Sequence, residues 1–344
     1  MERKRYLDFL RIIAISAVIM IHVSADFVMS YNSFLEFTIG NIFDSCSRLG
    51  VPLFLMISGA LMLDENKEFD CKKRILSLLI PLLAWSFLYA FAFSIVLPVL
   101  KSRSFSFLSF VSNFLRGHFH LWYMWAIIGL YLITPILRKF VKTKNKKTVF
   151  YFIILSLFFR FTEPIINLLF EEIDFFGKTA SIASVYSYIF DKLNLDFLGG
   201  LTTYYLAGWL LVHTDFTKKN KIAFYIIGGI SLISIIMLTQ LFPNQYDLTY
   251  SNFNILVFLY SSAVFLLVKN LRLDCKKLDN SIIALSKLSF GAYLIHMFVI
   301  TIISHILPQN PFFIPLIFLC TAIISFAATY IISKIPFIKK IVKA

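Results

Sequence analysis

The chain has 344 residues, of which 59% are hydrophobic and only 15% are charged, and its formal net charge is +14. Soluble domains carry about 45–50% apolar and about 25% charged residues, so this composition excludes an ordinary soluble globular protein and also a disordered chain. It indicates a membrane protein with several spans, because one spanning helix needs about 20 mainly apolar residues.

Ten apolar runs, separated by short polar segments, are each long enough to cross a bilayer as a helix. They lie at residues 7–29, 41–63, 75–100, 119–137, 149–170, 198–214, 221–242, 252–268, 281–303 and 311–333. The run 198–214 is the shortest, and the longest segment between runs, 171–197, is too short for a soluble domain. The sequence therefore predicts an all-α polytopic membrane protein of about ten transmembrane helices, with one membrane domain over residues 1–344.

Basic residues are distributed unevenly between the two sides of these spans. Of the 33 Lys and Arg residues, 24 lie in loops and termini on one side, five lie on the other side and four lie within spans. The positive-inside rule puts the basic side in the cytoplasm, so both termini are predicted to be cytoplasmic. The charge excess then reflects topology and attraction to the lipid bilayer, and we expect no nucleic-acid partner.

The four cysteines show no pattern of a metal site or a disulfide framework. Cys46, Cys71, Cys275 and Cys320 form no CxxC pair and have no histidine at ligand spacing. We therefore expect neither a bound metal nor a disulfide.

The first span carries ionisable side chains, which are costly in a membrane and are usually functional or paired. Arg11 and His22 are separated by eleven positions, so they share one helix face about 16 Å apart along the axis. Asp8 precedes Arg11 by three residues and is placed to orient it. Asp26 follows His22 by four residues and is placed to hold its tautomer. The alternative is that Arg11 snorkels to the headgroups and His22 is a paired histidine of the bundle.

The second span adds Arg48, which follows Asp44 by four residues. This span is predicted to run from outside to inside, so Arg48 lies in its outer half, near the depth of His22. For Ser58 and Gly59, further along the span, close packing between helices is the preferred interpretation.

Two further histidines are predicted at the outer depth. His120 opens the fourth span beside Trp122 and Tyr123, which suit an interfacial aromatic belt that does not explain the histidine. The ninth span carries Lys287 near its inner end and His296 near its outer end. Nine positions separate these two, so they face opposite sides of the helix.

These residues form four motifs in a recognisable order. The motifs are Asp8-x-x-Arg11-x10-His22, Arg48-x-x-Val51-Pro52-x-Phe54-x-x-x-Ser58-Gly59, His120-Leu121-Trp122-Tyr123 and Ser289-x-Gly291-x-Tyr293-x-x-His296. In this order and spacing they resemble acyltransferase family 3, over nearly the whole chain.

The resemblance implies an integral-membrane enzyme that moves an acyl group, often acetyl, from cytoplasmic acyl-CoA to a sugar hydroxyl of a cell-surface glycan. It implies that Arg11 and His22 are the essential pair of the family, and that Arg48 matches its second-span arginine. His120 and His296 match recurrent histidines whose roles are less settled. The implied location is the cytoplasmic membrane of a bacterium.

The predicted depths suggest a role for each residue. Arg11, oriented by Asp8, is placed to meet the phosphates of acetyl-CoA or another acyl-CoA. His22 is placed to act as general base on the acceptor hydroxyl, and Arg48 to stabilise the oxyanion. His120 or His296 is placed to orient the glycan acceptor or to carry the proton instead. The oligomeric state stays open.

Two other functions fit part of the pattern. An exporter or flippase of a glycan or small anion also uses many spans, intramembrane charges and kinked helices. An inverted repeat would favour transport, and none is visible in the sequence. An interaction or sensor module would not account for Arg48 or for the histidines predicted in the outer half of the membrane.

Overall fold

A computed structural model describes residues 4–100, 106–142, 145–170, 173–175, 178–180, 182–193, 200–271 and 276–343. The helices of the first half are α1 Arg5–Ser30, α2 Phe34–Ser47, α3 Gly50–Met62, α4 Cys71–Phe91, α5 Leu97–Leu100, α6 Phe107–Arg116, α7 Trp122–Lys142 and α8 Lys146–Ser156. Those of the second half are α9 Glu163–Phe170, α10 Ile182–Leu193, α11 Thr202–His213, α12 Lys218–Leu241, α13 Tyr246–Thr249, α14 Ile255–Lys269, α15 Lys276–Ile306 and α16 Ile314–Lys334. A small antiparallel hairpin of β1 Ile173–Phe175 and β2 Lys178–Ala180 lies between α9 and α10.

The predicted class of an all-α polytopic membrane protein is confirmed. Within the described ranges, eight helical stretches are long and apolar enough to cross a membrane. They are Arg5–Ser30, Phe34–Met62, Cys71–Val96, Phe107–Lys142, Lys146–Phe170, Lys218–Leu241, Asp279–Ile306 and Pro311–Lys334. The chain is therefore a multi-pass membrane protein, and the cytoplasmic position of its termini stays a prediction.

The two other predicted spans are shorter helices than the sequence suggested. The described part of the run 198–214 contains α11, whose 12 residues extend about 18 Å, and residues 198 and 199 lie outside the described residues. The run 252–268 corresponds to α14, whose 15 residues extend about 23 Å. A hydrocarbon core is about 30 Å thick, so neither helix alone has the length of a full span. An apolar run of this kind suits burial between other helices as well as contact with lipid.

Buried α11 packs closely against α3. A methyl group added at Gly59 of α3 would lie 1.8 Å from the carbonyl oxygen of Tyr205, and one added at Gly208 of α11 would lie 1.9 Å from that of Met56. Each helix thus presents a glycine to the backbone of the other, as small residues do at helix crossings in membranes. For Gly59 the predicted packing role is confirmed.

The second predicted span is broken at its centre. Residues 41–63 were expected as one helix, but α2 ends at Ser47 and α3 begins at Gly50, and Arg48 is the C-cap of α2. Pro52 lies in the first turn of α3, where its missing N–H has no helical acceptor to lose. The break puts the guanidinium of Arg48 at a helix end inside the bundle.

A turn before α7 brings His120 into the bundle. The turn starts at Gly117, whose φ of 73° lies in the left-handed region that glycine adopts readily. A short 3₁₀ segment, Phe119–Leu121, then leads into α7 at Trp122. The fourth predicted span begins in this turn, and His120 itself is only 2% exposed.

Helix α1 lies at the centre of the fold. It packs against α2, α3, α14, α15 and α16, and it carries both Arg11 and His22. The site residues predicted on α2 and α15 therefore lie on neighbours of α1.

Candidate active site

Three histidines from distant parts of the chain meet inside the bundle. His22 belongs to α1, His120 to the turn before α7 and His296 to α15. The ring centroid of His296 is 5.2 Å from that of His22 and 5.1 Å from that of His120. His120 and His296 are buried, whereas His22 is partly exposed. We call these three residues the histidine cluster.

The backbone fixes the ring of His296. Its Nδ1 lies 2.5 Å from the carbonyl oxygen of Tyr293, and since a carbonyl only accepts, Nδ1 carries a hydrogen and donates it. In neutral imidazole the lone pair is then on Nε2. The Nε2 atoms of His296 and His120 are buried and have no hydrogen-bond partner among the described residues. Each of these two atoms therefore has a hydrogen-bonding position that no described residue fills.

The turn that carries His120 is tied to its surroundings. His120 Nδ1 lies 2.8 Å from Nδ1 of His118, so one of the two rings donates to the other. The hydroxyl of Tyr293 donates to the backbone carbonyl of His120 at 2.5 Å. Tyr293 thus bonds to both buried members of the histidine cluster and holds their separation.

Arg48 is held from two directions. Its guanidinium pairs with the buried carboxylate of Asp44, one helical turn earlier, and its Cζ lies 3.9 Å from the ring centroid of Tyr250. The hydroxyl of Tyr250 donates to Oδ1 of Asn41 at 2.8 Å, so the ring is fixed in turn. Nε of Arg48 is buried without a hydrogen-bond partner among the described residues. One donor of a positioned guanidinium is therefore available to a ligand oxygen.

A cavity of about 760 Å³ reaches His22 from the side of the bundle that is predicted to face outward. We call it the outer cavity. Its polar lining comprises His22, Asp26, Asp44, Arg48, Tyr246, Asp247, Tyr250, Thr301 and Ser304. The predicted base and the predicted oxyanion donor thus share one cavity.

At the other end of the helix face, Arg11 is paired with Asp8. Nη1 of Arg11 lies 3.3 Å from Oδ1 of Asp8, and the hydroxyl of Ser286 donates to the same oxygen at 2.7 Å. The carboxylate is only 2% exposed. It is therefore in a position to orient Arg11, as the spacing predicted.

Arg11 also lines a small basic cavity of about 190 Å³. Lys67, Arg74 and Arg138 supply three further cationic side chains to this cavity, and Glu68 supplies one carboxylate. Arg138 donates to the backbone carbonyls of Asp64, at 2.9 Å, and Lys67, which ties the connection between α3 and α4 to α7. We call this space the inner cavity.

Several hydroxyl groups lie between the two ends of the site. The side chain of Ser58 on α3 lies near the phenols of Tyr123 and Tyr131 on α7, and both phenols lie on the side of Arg11. The Tyr123 ring centroid is 5.8 Å from that of Tyr293, beside the histidine cluster. We call Ser58, Tyr123, Tyr131 and Tyr293 the polar column.

Two expectations from the sequence are wrong. Trp122 is 43% exposed and suits an aromatic belt, but Tyr123 points into the bundle, because successive helical residues differ in direction by about 100°. Asp26 lines the outer cavity with His22, yet no hydrogen bond between the two side chains is among the described contacts. Asp26 therefore does not hold the imidazole tautomer.

Several lining residues carry no signal in the sequence. Lys67, Arg74 and Arg138 look like ordinary topology charges at the ends of spans, and only tertiary structure brings them to Arg11. Tyr250 follows α13 in a connection that shows no motif.

Comparison with known proteins gives one match. A family model described as an acyltransferase domain matches residues 4–334. No curated protein and no solved structure matches the chain.

Proposed function

Because the chain belongs to acyltransferase family 3 and is a multi-pass membrane protein, we propose that it moves an acyl group from cytoplasmic acyl-CoA to a hydroxyl of a cell-surface or lipid-linked glycan. Acetyl is the group we propose, and the bacterial cytoplasmic membrane is the location. The order of the motifs also resembles that of the enterobacterial common antigen O-acetyltransferase, which supports acetyl as the transferred group.

The observation that carries the proposal is the arrangement of polar groups along α1. A basic cavity borders Arg11 at one end, the histidine cluster and the outer cavity lie at the other end, and the polar column lies between them. A donor made in the cytoplasm and an acceptor outside it require such a route, because the two substrates approach from opposite faces of the membrane.

The inner cavity suits the phosphate groups of the donor. Two of the phosphate oxygens of a CoA-type polyanion pair with the fork of a single guanidinium, and the cavity offers three arginines and a lysine. Its volume of about 190 Å³ is too small for a whole CoA molecule. The nucleotide therefore extends along the adjoining surface hollow of about 490 Å³, which shares Lys67, Glu68, Phe69 and Arg138.

The pantetheine arm of the donor then follows the polar column toward His22. Arg11 and His22 are separated by about 16 Å along α1, a distance that an extended arm spans. The hydroxyls of Ser58, Tyr123 and Tyr131 offer hydrogen bonds to its amides on the way.

Acyl transfer at His22 balances without an additional reactant. The acceptor oxygen attacks the thioester carbonyl carbon while a ring nitrogen of His22 takes the hydroxyl proton. The C–S bond breaks, and the CoA thiolate takes this proton from the imidazolium. The products are an ester and free CoA, and His22 returns to its neutral form.

Arg48 supplies the positive charge that this reaction needs. The carbonyl oxygen becomes negative in the tetrahedral intermediate, and a positioned donor stabilises it more than the ground state. Nε of Arg48 has no other partner among the described residues, so it donates to this oxygen at no cost to an existing bond.

A comparison of surface glycans tests the proposal. Cells with the wild-type protein should carry an ester-linked acyl group, removed by mild base and visible by mass spectrometry, that cells lacking the protein do not carry. Cells producing His22→Ala should resemble the cells without it. Identical glycans in all three strains would contradict the proposal, and an altered glycan amount with unchanged esters would favour export.

A further inference from the structure

The outer cavity has an uneven balance of charge. Three carboxylates line it, from Asp26, Asp44 and Asp247, against one permanent cation, Arg48. Asp44 is paired with Arg48, and the two charges offset each other. Neither Asp26 nor Asp247 forms an ion pair with any residue in the described part of the chain. The carboxylates of Asp26 and Asp247 therefore give the cavity a negative electrostatic potential.

One buried polar atom in the wall points to a polar ligand. The carboxylate of Asp44 is only 1% exposed and is already paired with the guanidinium of Arg48. Nε of Arg48, beside it, lacks an acceptor. A buried donor is costly to leave unpaired, so a ligand oxygen that accepts from Nε completes this part of the wall.

The rest of the lining matches a sugar. Tyr246, Thr301 and Ser304 add hydroxyl groups, while Phe119 and Met297 add apolar surface that suits the C–H face of a pyranose. The volume of about 760 Å³ holds more than one sugar ring.

We propose that the outer cavity binds a neutral or amino sugar and rejects a sugar unit that carries a carboxylate or a phosphate. Asp26 and Asp247 are the specificity-determining residues, and they accept hydrogen bonds from acceptor hydroxyl or ammonium groups. This inference rests on the proposed function, since it names the acceptor class of the same site.

The selectivity follows from like-charge repulsion. An anionic group placed in the cavity faces two unpaired carboxylates, and a cationic group of the same size is attracted by them. Asp26 and Asp247 are solvent-exposed, so water and salt screen their charges in part, and the two together are expected to separate cation from anion by about tenfold.

A chemical test of the cavity does not depend on catalysis. Ser304 is replaced by cysteine in protein whose native cysteines are changed to serine, and the rates of modification by a cationic and an anionic methanethiosulfonate are compared. The cationic reagent should react about tenfold faster, and Asp26→Asn/Asp247→Asn should remove most of this difference. Ser109→Cys on α6, outside the cavity, is the matched control and should show little preference.

Two results would overturn the proposal in that test. Equal rates, or a faster anionic reagent, would show that the carboxylates do not set the potential. No reaction with either reagent would show that molecules of this size do not enter the cavity.

An acceptor series then tests the consequence for transfer. One oligosaccharide scaffold is offered in neutral, amino and carboxylate forms, and CoA release from acetyl-CoA is followed. The amino form should be about tenfold better than the carboxylate form and the neutral form about threefold better, and the double Asn variant should narrow both gaps. Equal turnover of all three forms would contradict the proposed charge selectivity of the outer cavity, but it would not contradict the proposed acyl transfer. If the cationic reagent labels the cavity faster but no acceptor form receives an acyl group, the proposed function is contradicted and the proposed negative potential of the cavity is not.

Discussion

At the scale of single residues, His22 is distinguished from the other histidines by access. His120 and His296 are buried and are bonded to neighbours through Nδ1, whereas the His22 ring borders the outer cavity. The ring that borders the outer cavity is therefore the one that no described hydrogen bond holds, and the two buried rings pack behind it.

Replacing His22 by alanine should lower the rate of acyl transfer about 10²- to 10⁴-fold, the usual contribution of a general base. The protein should still insert and fold, because His22 makes ring contacts and no described hydrogen bond. Measurement is by CoA release from purified protein. His305→Ala, at the exposed end of α15, is the control and should keep wild-type activity.

Replacing Arg11 should affect the donor and spare the acceptor. Arg11→Ala alone leaves the buried Asp8 without its guanidinium partner, so the informative variant is Asp8→Asn/Arg11→Ala, in which Ser286 keeps a neutral acceptor. The KM for acetyl-CoA should rise at least tenfold, since a charge-assisted contact is worth about 1.5–3 kcal/mol. The KM for the glycan should stay within about twofold. A change confined to the glycan KM would show that Arg11 does not bind the donor.

At the scale of elements, the close packing of α3 against α11 lies next to the polar column. Ser58, which meets Tyr123 and Tyr131, is the neighbour of Gly59 in the chain, and Gly59 allows α11 to approach. A structural contact and a candidate functional contact are thus adjacent on one helix.

Gly59→Ala and Gly208→Ala should each destabilise the protein by about 1–3 kcal/mol, because the added methyl group meets backbone atoms that cannot move aside. Gly229 on α12 is the matched control, since a methyl group there meets nothing within 4 Å. Gly229→Ala should be neutral or stabilising by up to about 1 kcal/mol. Thermal unfolding in detergent measures all three. Equal melting temperatures would show that the crossing is looser than described.

Elements also mark where sequence patterns stop being informative. Hydropathy located every long span, because lipid imposes a minimum apolar length on each. It did not find the break at Arg48, since α2 and α3 are both apolar and read as one run. It also assigned α11 to a full span, because burial in protein selects the same residues as lipid does.

The residues of the candidate site also differ in whether the sequence predicts them. Arg11, His22 and Arg48 were predicted because an ionisable residue inside a span is conspicuous. The basic wall of the inner cavity was not, because Arg74 and Arg138 belong to the ends of spans, where positive charge is expected anyway. Tyr123 was assigned to the membrane interface because a tyrosine beside a tryptophan there is common.

At the scale of the whole molecule, orientation links the charge of the chain to its function. The two ends of α1 carry different cavities, one basic and one acidic. The proposed function requires the orientation with the basic loops in the cytoplasm, because acyl-CoA would then approach Arg11 from the side on which it is made.

Single-cysteine variants test this orientation. With the native cysteines changed to serine, Asn32→Cys between α1 and α2 should react with a membrane-impermeant maleimide in intact cells. Lys142→Cys at the end of α7 should react only after the membrane is opened, because it lies on the basic side. The reverse pattern would place the inner cavity outside the cell and contradict a cytoplasmic donor.

In the proposed function, the protein carries an acyl group from CoA to a glycan through His22. The most direct test of this function supplies purified protein in lipid with acetyl-CoA labelled in the acetyl group and with glycan extracted from cells that lack the protein. We expect base-labile label on the glycan with wild-type protein and with His305→Ala, and at most about 1% of that label with His22→Ala. Equal labelling by His22→Ala, or label that stays on CoA with the wild-type protein, would contradict the proposed function.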